Sequence, residues 1–449
     1  MSEELLPNAG RPTGTRAISR RGFLRYSGMV AAAGLLAACA PAPQQAAAPQ
    51  AASSAGGTAP TTIRMVSWFW NEPGRSDAWR TMIERFHEAQ DSVRVEEAGW
   101  PFDQFTNNIV VQMQAGAIDG DLITTTPDLV LRLLKADRLV PVEDVLDRAG
   151  VKNLSASHDF IRKDGHLYGL DIVTVAFGLL YNSMLFERAG VEPPTTIDEW
   201  VAATEKLTDR PDQFGIFSPH LMSEPESFWF ILQEWALPYD GVWAKEQTPL
   251  VNSPEIVNGM KLFKQMYDIG MPQGTTDATA QKMFGDNRIA QYMIVSALVN
   301  VLKSAAPDLY PLLRSAAPPW PSRRSMARIH PITVNVDSEH QEAAKDFLTF
   351  LYTPENYQQL LELSLDVIPS FPDGIRQEYL DSLTWVEGYN AIVPVAPPDL
   401  MGEFIFNNQE FGQVVISKMQ ESLTTDKPVE DAMNEAQIEL EALAERLFA

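Results

Sequence analysis

Four residues near the start of the chain combine the side-chain types that grip polyhydroxylated molecules. Trp68, Trp70, Asn71 and Glu72 leave the carboxyl end of an alternating stretch, Thr61 to Trp68, that reads as a first strand. Indole faces stack on C–H surfaces, while carboxylates and amides fork hydrogen bonds onto hydroxyls. Trp68 fits a packed core equally well, so residue type alone leaves both readings open. The chain holds ten tryptophans. Each offers a large apolar face with one N–H donor, which suits cores and sugar-stacking clefts alike.

Other chemistries lack their residues. There is no Gly-x-Ser-x-Gly elbow and no phosphate-binding loop. The six histidines show neither His-Glu-x-x-His nor any close metal spacing, so no metal is expected. Cys39 is the single cysteine, which excludes an internal disulfide and an iron–sulfur site with four cysteine ligands. A glycosidase needs two carboxylates at a defined separation. Sequence cannot locate such a pair among so many acids, so a secreted carbohydrate-active enzyme stays open as an alternative.

The first 60 residues dictate where the rest of the chain works. Ser19-Arg20-Arg21-Gly22-Phe23-Leu24, with a further base at Arg25, precedes an uncharged apolar run from Tyr26 to Ala38. Paired arginines ahead of a short apolar run form a twin-arginine export signal, so residues 1–38 are set aside as a signal peptide. That run falls well short of the ~20 residues that a membrane span requires. Leu36-Ala37-Ala38-Cys39 resembles a lipobox, in which Cys39 becomes the lipidated first residue; the alternative is plain cleavage near Ala38. Residues 39–60, rich in Ala, Pro, Gln and Ser, read as a flexible linker. The protein is therefore expected outside the cytoplasm, at the cell surface or in the periplasm, held to the membrane by lipid.

Beyond residue 38 the chain is too long for one small core and suits two lobes. The leader carries five arginines and two glutamates, so the remainder holds 30 basic and 57 acidic residues, a net charge of −27. This argues against nucleic acid, whose phosphates need Lys and Arg. It also argues against a basic patch on anionic lipid. Solubility is the plain reading of such acidity.

Strands and helices then alternate, as in βαβ units with a mostly parallel sheet. After the first strand, Trp79, Met82, Ile83 and Phe86 recur at helical spacing, and a helix runs to about Ala89. Val93 to Glu96 is a second strand, Phe102 to Gly116 a helix, Asp121 to Thr124 a third strand, and Pro127 opens another helix. Val173 to Asn182 is an apolar strand long enough to cross between lobes. Thr196 with Glu199 forms a capping-box pattern. Phe228 to Leu237 is aromatic at helical spacing, Pro318 to Arg328 reads as a loop, and Ile332 to Val336 as a strand. Helices close the chain at Gln341 to Leu351, Phe411 to Leu423 and Val429 to Leu447.

Several stretches carry a resemblance. They include Asp121-Leu122-Ile123 with Leu139-Val140-Pro141-Val142, and Leu180-Tyr181-Asn182-Ser183-Met184-Leu185-Phe186-Glu187-Arg188-Ala189-Gly190. Pro194-Thr195-Thr196-Ile197-Asp198-Glu199-Trp200, Phe284-Gly285-Asp286-Asn287-Arg288-Ile289-Ala290 and Thr353-Pro354-Glu355 follow in order. Together they resemble the extracellular solute-binding proteins of ATP-driven importers, specifically the carbohydrate-type family that includes maltose-binding protein. The likeness covers about residues 61–449. It implies an α/β periplasmic-binding-protein fold of type II character, each lobe a mostly parallel sheet flanked by helices. Lobe 1 is expected at 61–173 and 331–370, lobe 2 at 174–330 and 371–449. Ligands of open α/β sheets sit beyond the carboxyl ends of the strands, and two such ends make a cleft that closes by hinge motion.

Carried over residue by residue, the resemblance marks a set of ligand-binding candidates. The loop from Trp68 through Trp70 and Asn71 to Glu72 supplies polar contacts. Thr125 and Asp128 leave the third strand, with a Thr N-cap at Pro127 as the alternative. Asp171 stands near the first crossover, where the family usually has proline, and is either a ligand carboxylate or a turn residue. Glu224 and Trp229 match a segment that offers an acid and an aromatic, although Trp229, Leu232 and Ala236 share the spacing of a core face. Met293 to Val299 lacks the stacking tryptophan of many relatives, so stacking there would fall to Tyr292, Trp320 or Trp385. Phe404 and Phe406 occupy the late cleft loop. The implied function is capture of a sugar or oligosaccharide and its delivery to the transmembrane subunits of an ABC permease. No catalysis, cofactor or nucleic-acid partner is implied, and the protein is expected to be a monomer. A polyol, a glycerol phosphate or a peptide on the same fold is the alternative; anionic ligands fit the acid-rich loops poorly, though Arg75, Arg288 or Arg328 could reach the cleft.

Overall fold

The computed structural model describes residues 59–371 and 374–449. The twin-arginine signal, Cys39 and nearly all of the 39–60 linker lie outside the described residues. The strands begin with β1 (Thr61–Val66), β2 (Val93–Ala98), β3 (Leu122–Thr124) and β4 (Leu139–Val140). A hairpin of β5 (Arg162–Lys163) and β6 (His166–Leu167) leads into the long β7 (Leu170–Asn182). A second hairpin, β8 (Ala244–Lys245) and β9 (Thr248–Pro249), lies farther on. Then come β10 (Gln291–Val295), β11 (Leu313–Ala316), the long β12 (Arg324–Asn335) and β13 (Val393–Val395).

β1 runs parallel to both β2 and β3, with Ile63 opposite Val95 and Val66 opposite Ile123. Its alternation places Ile63 and Met65 in the core and leaves Thr62 exposed. Helix Arg75–Ala89 buries Ala78, Trp79, Met82, Ile83 and Phe86, the stripe that helical periodicity demands. Gly74, at φ 80°, caps that helix. A Cβ there would stand 2.7 Å from the Asn300 amide oxygen on helix Leu298–Ala305, so both the backbone and the close approach require glycine.

β7 and β12 are the longest strands of the central sheet, and they join its two ends. They pair antiparallel, Ala176 opposite Ala327 and Leu170 opposite Ile332. Beyond the shared stretch β7 pairs with β10 and β11, and β12 pairs with β3 and β4. The parallel order expected from sequence therefore holds in β1–β3, whereas β10 and β11 run antiparallel to β7. Bridges Phe214–Ile289 and Phe217–Tyr292 give β10 a parallel neighbour on its other side.

One expectation is corrected. The stretch 318–328 reads as a loop, yet β12 begins at Arg324. Arg324, Arg328 and His330 mask the strand pattern, and proline normally bars a central strand. Here Ser325 through Asn335 are all buried, and Pro331 falls at a bulge where the register shifts.

Asp171 holds that bulge. Its carboxylate accepts hydrogen bonds from the backbone N–H of His330 (2.9 Å) and of Val173 (3.2 Å), and from the Thr174 hydroxyl. Its own N–H donates to His158 Nε2 at 3.1 Å, and the Tyr352 hydroxyl donates to its carbonyl. Burial pushes the His158 imidazole down to about 4, so it stays neutral and able to accept. Asp171 is fully buried and serves the strand crossing; it is neither a surface turn residue nor a ligand carboxylate.

Burial raises the Asp171 carboxyl from 3.8 to about 6 despite those hydrogen bonds. The folded state thus holds this proton more tightly than the unfolded chain. The group's contribution to stability is complete below pH 3.8 and is lost as pH rises through about 6. Melting curves of wild type and Asp171→Asn across that range should show the wild-type advantage shrinking as pH rises; an advantage that grows would refute the assignment. Asp171→Ala strands the His330 and Val173 donors and should cost about 2–4 kcal/mol by denaturant unfolding.

Candidate functional site

A cavity of about 170 Å³ lies where four helices and β12 converge. Helix Pro225–Trp235 lines it with Glu226, Trp229, Phe230 and Gln233, one stripe at i, i+3, i+4 and i+7. The opposite stripe of that helix, Phe228, Ile231, Leu232 and Trp235, packs in the core. Helix Asn408–Thr424 adds Asn408, Gln409 and Gln413. Asp103 and Asn107 stand one turn apart on helix Phe102–Ala115, and Asp128 comes from the first turn of helix Pro127–Lys135. Arg328 reaches in from β12.

Helix Pro225–Trp235 is fastened to β12 by Glu234, whose carboxylate accepts the Met326 N–H at 2.7 Å. Burial pushes the Glu234 carboxyl up to about 8. Trp229 meets Trp243 edge-on at 4.9 Å and donates its indole N–H to Asn408 Oδ1 at 2.7 Å. The indole lies against Gly412, where a Cβ would come within 2.4 Å of the ring.

Charge in the cavity is unbalanced. The Arg328 guanidinium lies over Phe230 at 4.1 Å and stands 3.8 Å from Asp128 Oδ1. Its side chain is only 7% exposed, and its Nε has no partner. Glu226 is pushed up to about 8, first by burial, then by the charge of Asp128, with Arg328 opposing. Partial desolvation also raises the Asp103 carboxyl, although the residue is largely exposed. Two aromatic faces, three carboxylates, one guanidinium and several amides make a wall that stacks on rings and hydrogen-bonds hydroxyls. Among the described residues no group of three or more His, Cys, Asp and Glu is placed to hold a metal ion.

Comparison with known proteins gives this wall a context. The family model for bacterial extracellular solute-binding proteins matches residues 81–377. The chain belongs to this family. A curated binding protein of Brucella abortus is 24% identical over 242 residues, 52% of this chain and 58% of its own length, so the chain spans little more than half of that relative. A solute-binding protein of Thermotoga lettingae, solved with alpha-D-tagatose, shares the fold with a TM-score of 0.73 at 18% identity, covering 86% of this chain and all of that one. The substrate-binding protein of Listeria monocytogenes solved with cycloalternan has a TM-score of 0.71 at 19% identity, covering 86% and 99%. The fold is thus the two-lobed one of periplasmic binding proteins. Family membership places this solute-binding protein outside the cytoplasm, and no helix among its described residues is long and apolar enough to cross a membrane.

Of the residues that sequence reasoning singled out, Asp128 and Trp229 line the cavity. Tyr292 lines a smaller neighbouring pocket of about 50 Å³ that shares Phe230, and its hydroxyl donates to the Asp277 carboxylate. Glu224 instead accepts the Asp277 N–H at 3.0 Å, capping the helix that starts there, and Glu226 one half-turn on faces the cavity. Thr125 latches β3 to β12 through Pro331 O, at 3.0 Å from its hydroxyl. Thr126 is the N-cap of helix Pro127–Lys135, but its hydroxyl makes no capping bond and donates to Asp128 Oδ1 at 2.7 Å.

The remaining aromatics pack elsewhere. Trp68 sits edge-on among Phe69, Phe102, Phe105 and His330. Trp385 is buried against Tyr389. Phe404 is buried edge-on to Phe411 and Phe448. Trp320 gives its N–H to Arg324 O at 2.8 Å. Trp229 is itself only 4% exposed but lines the cavity; these four are buried without lining it, which corrects them from contacts of this cavity to core residues. Trp70 is half-buried and bonds Met65 O, Asn71 is exposed, and Glu72 pairs with Arg75 at 3.3 Å, which in turn reaches Asp366. Phe406 lies under Lys135. None of these lines the main cavity.

Asp103, Asn107, Phe230, Gln233, Asn408, Gln409 and Gln413 were missed. A signal existed: polar and aromatic residues at i, i+3, i+4 and i+7 on the face of helix Pro225–Trp235 away from the core, and at i, i+4 on the other two helices.

Gly412→Ala should drive a methyl into the Trp229 ring and break its bond to Asn408. Overpacking of this kind costs about 1–3 kcal/mol. The expected outcome is a loss of solute affinity greater than that of Gly→Ala at exposed Gly165, measured by titration with circular dichroism as a check on folding.

Proposed function

We propose that this solute-binding protein captures a saccharide in the cavity between Asp103 and Asp128 on one side and Glu226, Trp229 and Phe230 on the other. The observation that carries this reading is the aromatic wall of Trp229 and Phe230 ringed by carboxylates and amides. An engineered cavity of about 150 Å³ takes a benzene ring, so about 170 Å³ suits one sugar ring. The sugars named with the Listeria and Thermotoga proteins support the same class. Delivery goes to the transmembrane subunits of an ABC permease, and the protein acts as a monomer without turning over its ligand. The lobes belong to the same reading, lobe 1 at 61–173 and 331–370 and lobe 2 at 174–330 and 371–449; packing of Leu365 and Val367 with Leu180, Phe217 and Trp385 favours an end of lobe 1 nearer about 364. Polyols and other neutral solutes remain the alternative occupants.

Export by the twin-arginine signal and lipidation of Cys39 complete the proposal. Cys39→Ala should abolish incorporation of labelled fatty acid and release the protein from membranes; a membrane-bound, unlabelled variant would count against it. A thermal-shift screen against saccharides tests the ligand. A ligand that binds only the folded state adds about 2.7 kcal/mol at a hundredfold excess over its Kd. A raised Tm with intact sugar recovered afterwards is expected. A shift from none of the sugars, or hydrolysis of a bound oligosaccharide by pure protein, would overturn the reading.

A further inference from the structure

Hydroxyl groups can satisfy the hydrogen bonds of this cavity, but they leave its charge untouched. Three carboxylates, Asp103, Asp128 and Glu226, face one cation, Arg328. Arg328 is already engaged, stacked on Phe230 and 3.8 Å from Asp128. Its buried, unpartnered Nε needs an acceptor from outside the protein. Asp103 and Glu226 come from different helices and lack a cationic partner of their own. Like charges brought together in a partly dehydrated space repel, and a neutral occupant that expels water strengthens the repulsion. Asp277 and Glu224 add negative charge behind Asp103 and no positive charge.

We infer that the solute carries a protonated amine on its sugar ring, seated between Glu226 and Asp103 with the ring against Trp229, while a ring or hydroxyl oxygen accepts from Arg328. This rests on the saccharide reading above and narrows it to amino sugars. An ammonium offsets one of the two negative charges that three carboxylates leave in excess of Arg328, donates up to three hydrogen bonds to the carboxylates, and gains from the neighbouring indole face. N-acetylation removes the charge and adds bulk, so acetylated sugars are excluded by the same argument.

The proton count makes this visible. Burial and the neighbouring acids hold the Glu226 carboxyl at about 8, so at about pH 6.5, where the titration is run and the amine of a hexosamine is still protonated, it carries its proton before binding. An ammonium beside it favours the carboxylate, and its proton leaves to solvent as ligand binds. The groups facing it are Asp103, Asp128 and Arg328, of which Arg328 alone opposes proton retention.

The test is calorimetric titration of the full chain with glucosamine, galactosamine and mannosamine, each beside its hexose and its N-acetyl derivative. Running each titration in two buffers of different ionisation enthalpy counts the protons exchanged. We expect an amino sugar to bind at least ~10-fold more tightly than its two neutral counterparts, with net proton release. Glu226→Gln and, separately, Asp103→Asn should narrow that ratio, and Glu226→Gln should remove the proton release. Asp103 is exposed, so its variant tests the charge even where Glu226→Gln disturbs folding. A hexose or N-acetylhexosamine binding as tightly as the amine, or binding of the amine without proton release, overturns this inference and leaves the saccharide reading standing. Binding of none of the panel overturns both.

Discussion

Everything in this structure hangs on one buried carboxylate at the crossing of two strands. β7 and β12 link the two ends of the sheet, and a bulge at Pro331 interrupts their pairing. A bulge in a buried strand leaves N–H groups without ladder partners, a cost comparable to a lost hydrogen bond for each. Asp171 accepts those of His330 and Val173, and His158 and Tyr352 tie Asp171 in turn. Arg328 stands two residues before His330 on the same strand. The crossing and the one cavity cation thereby share a strand, and Arg328 is aimed by Phe230 and Asp128.

The site itself is built on rigid elements. Its aromatic wall is a helical stripe whose opposite face is core, locked to β12 through Glu234 and Met326. Trp229 is confined from behind by Trp243, Gly412 and Asn408. Such a wall meets a ligand with little side-chain freedom left to lose, which lowers the entropic cost of binding. The opposing acids sit on the first turns of helices Phe102–Ala115 and Pro127–Lys135. There the positive ends of the helix dipoles moderate their charge.

Burying carboxylates near neutrality is unfavourable unless they keep a proton or gain a cation. Asp171, Glu226 and Glu234 all show it, raised to about 6, 8 and 8. Their roles differ by geometry. Asp171 accepts backbone N–H groups of β7 and β12 and Glu234 accepts one of β12, whereas Glu226 opens onto the cavity. The first two hold the frame; the third is free to meet a solute.

Sequence by itself determined the order of elements and the family. Local periodicity and caps write themselves into adjacent residues: the stripe of Arg75–Ala89, and the cap at Thr196, whose hydroxyl accepts the Glu199 N–H at 3.2 Å. The end of β12 was legible as a strand from Ile332, but its first part, from Arg324, escaped because polar residues and a proline hide a buried strand, and only its partners β7 and β13 supply the reason for its extension. Site residues were legible where one helix carries them, as with Trp229, and illegible where the choice lay between two faces of the same aromatic. Whether Trp68, Trp320, Trp385 or Phe404 meets solute or core depends on partners from distant parts of the chain, such as His330 for Trp68, Trp200 for Trp320, Tyr310 for Trp385 and Phe448 for Phe404. That is a property of tertiary structure alone, because the indole or phenyl ring is equally suited to both.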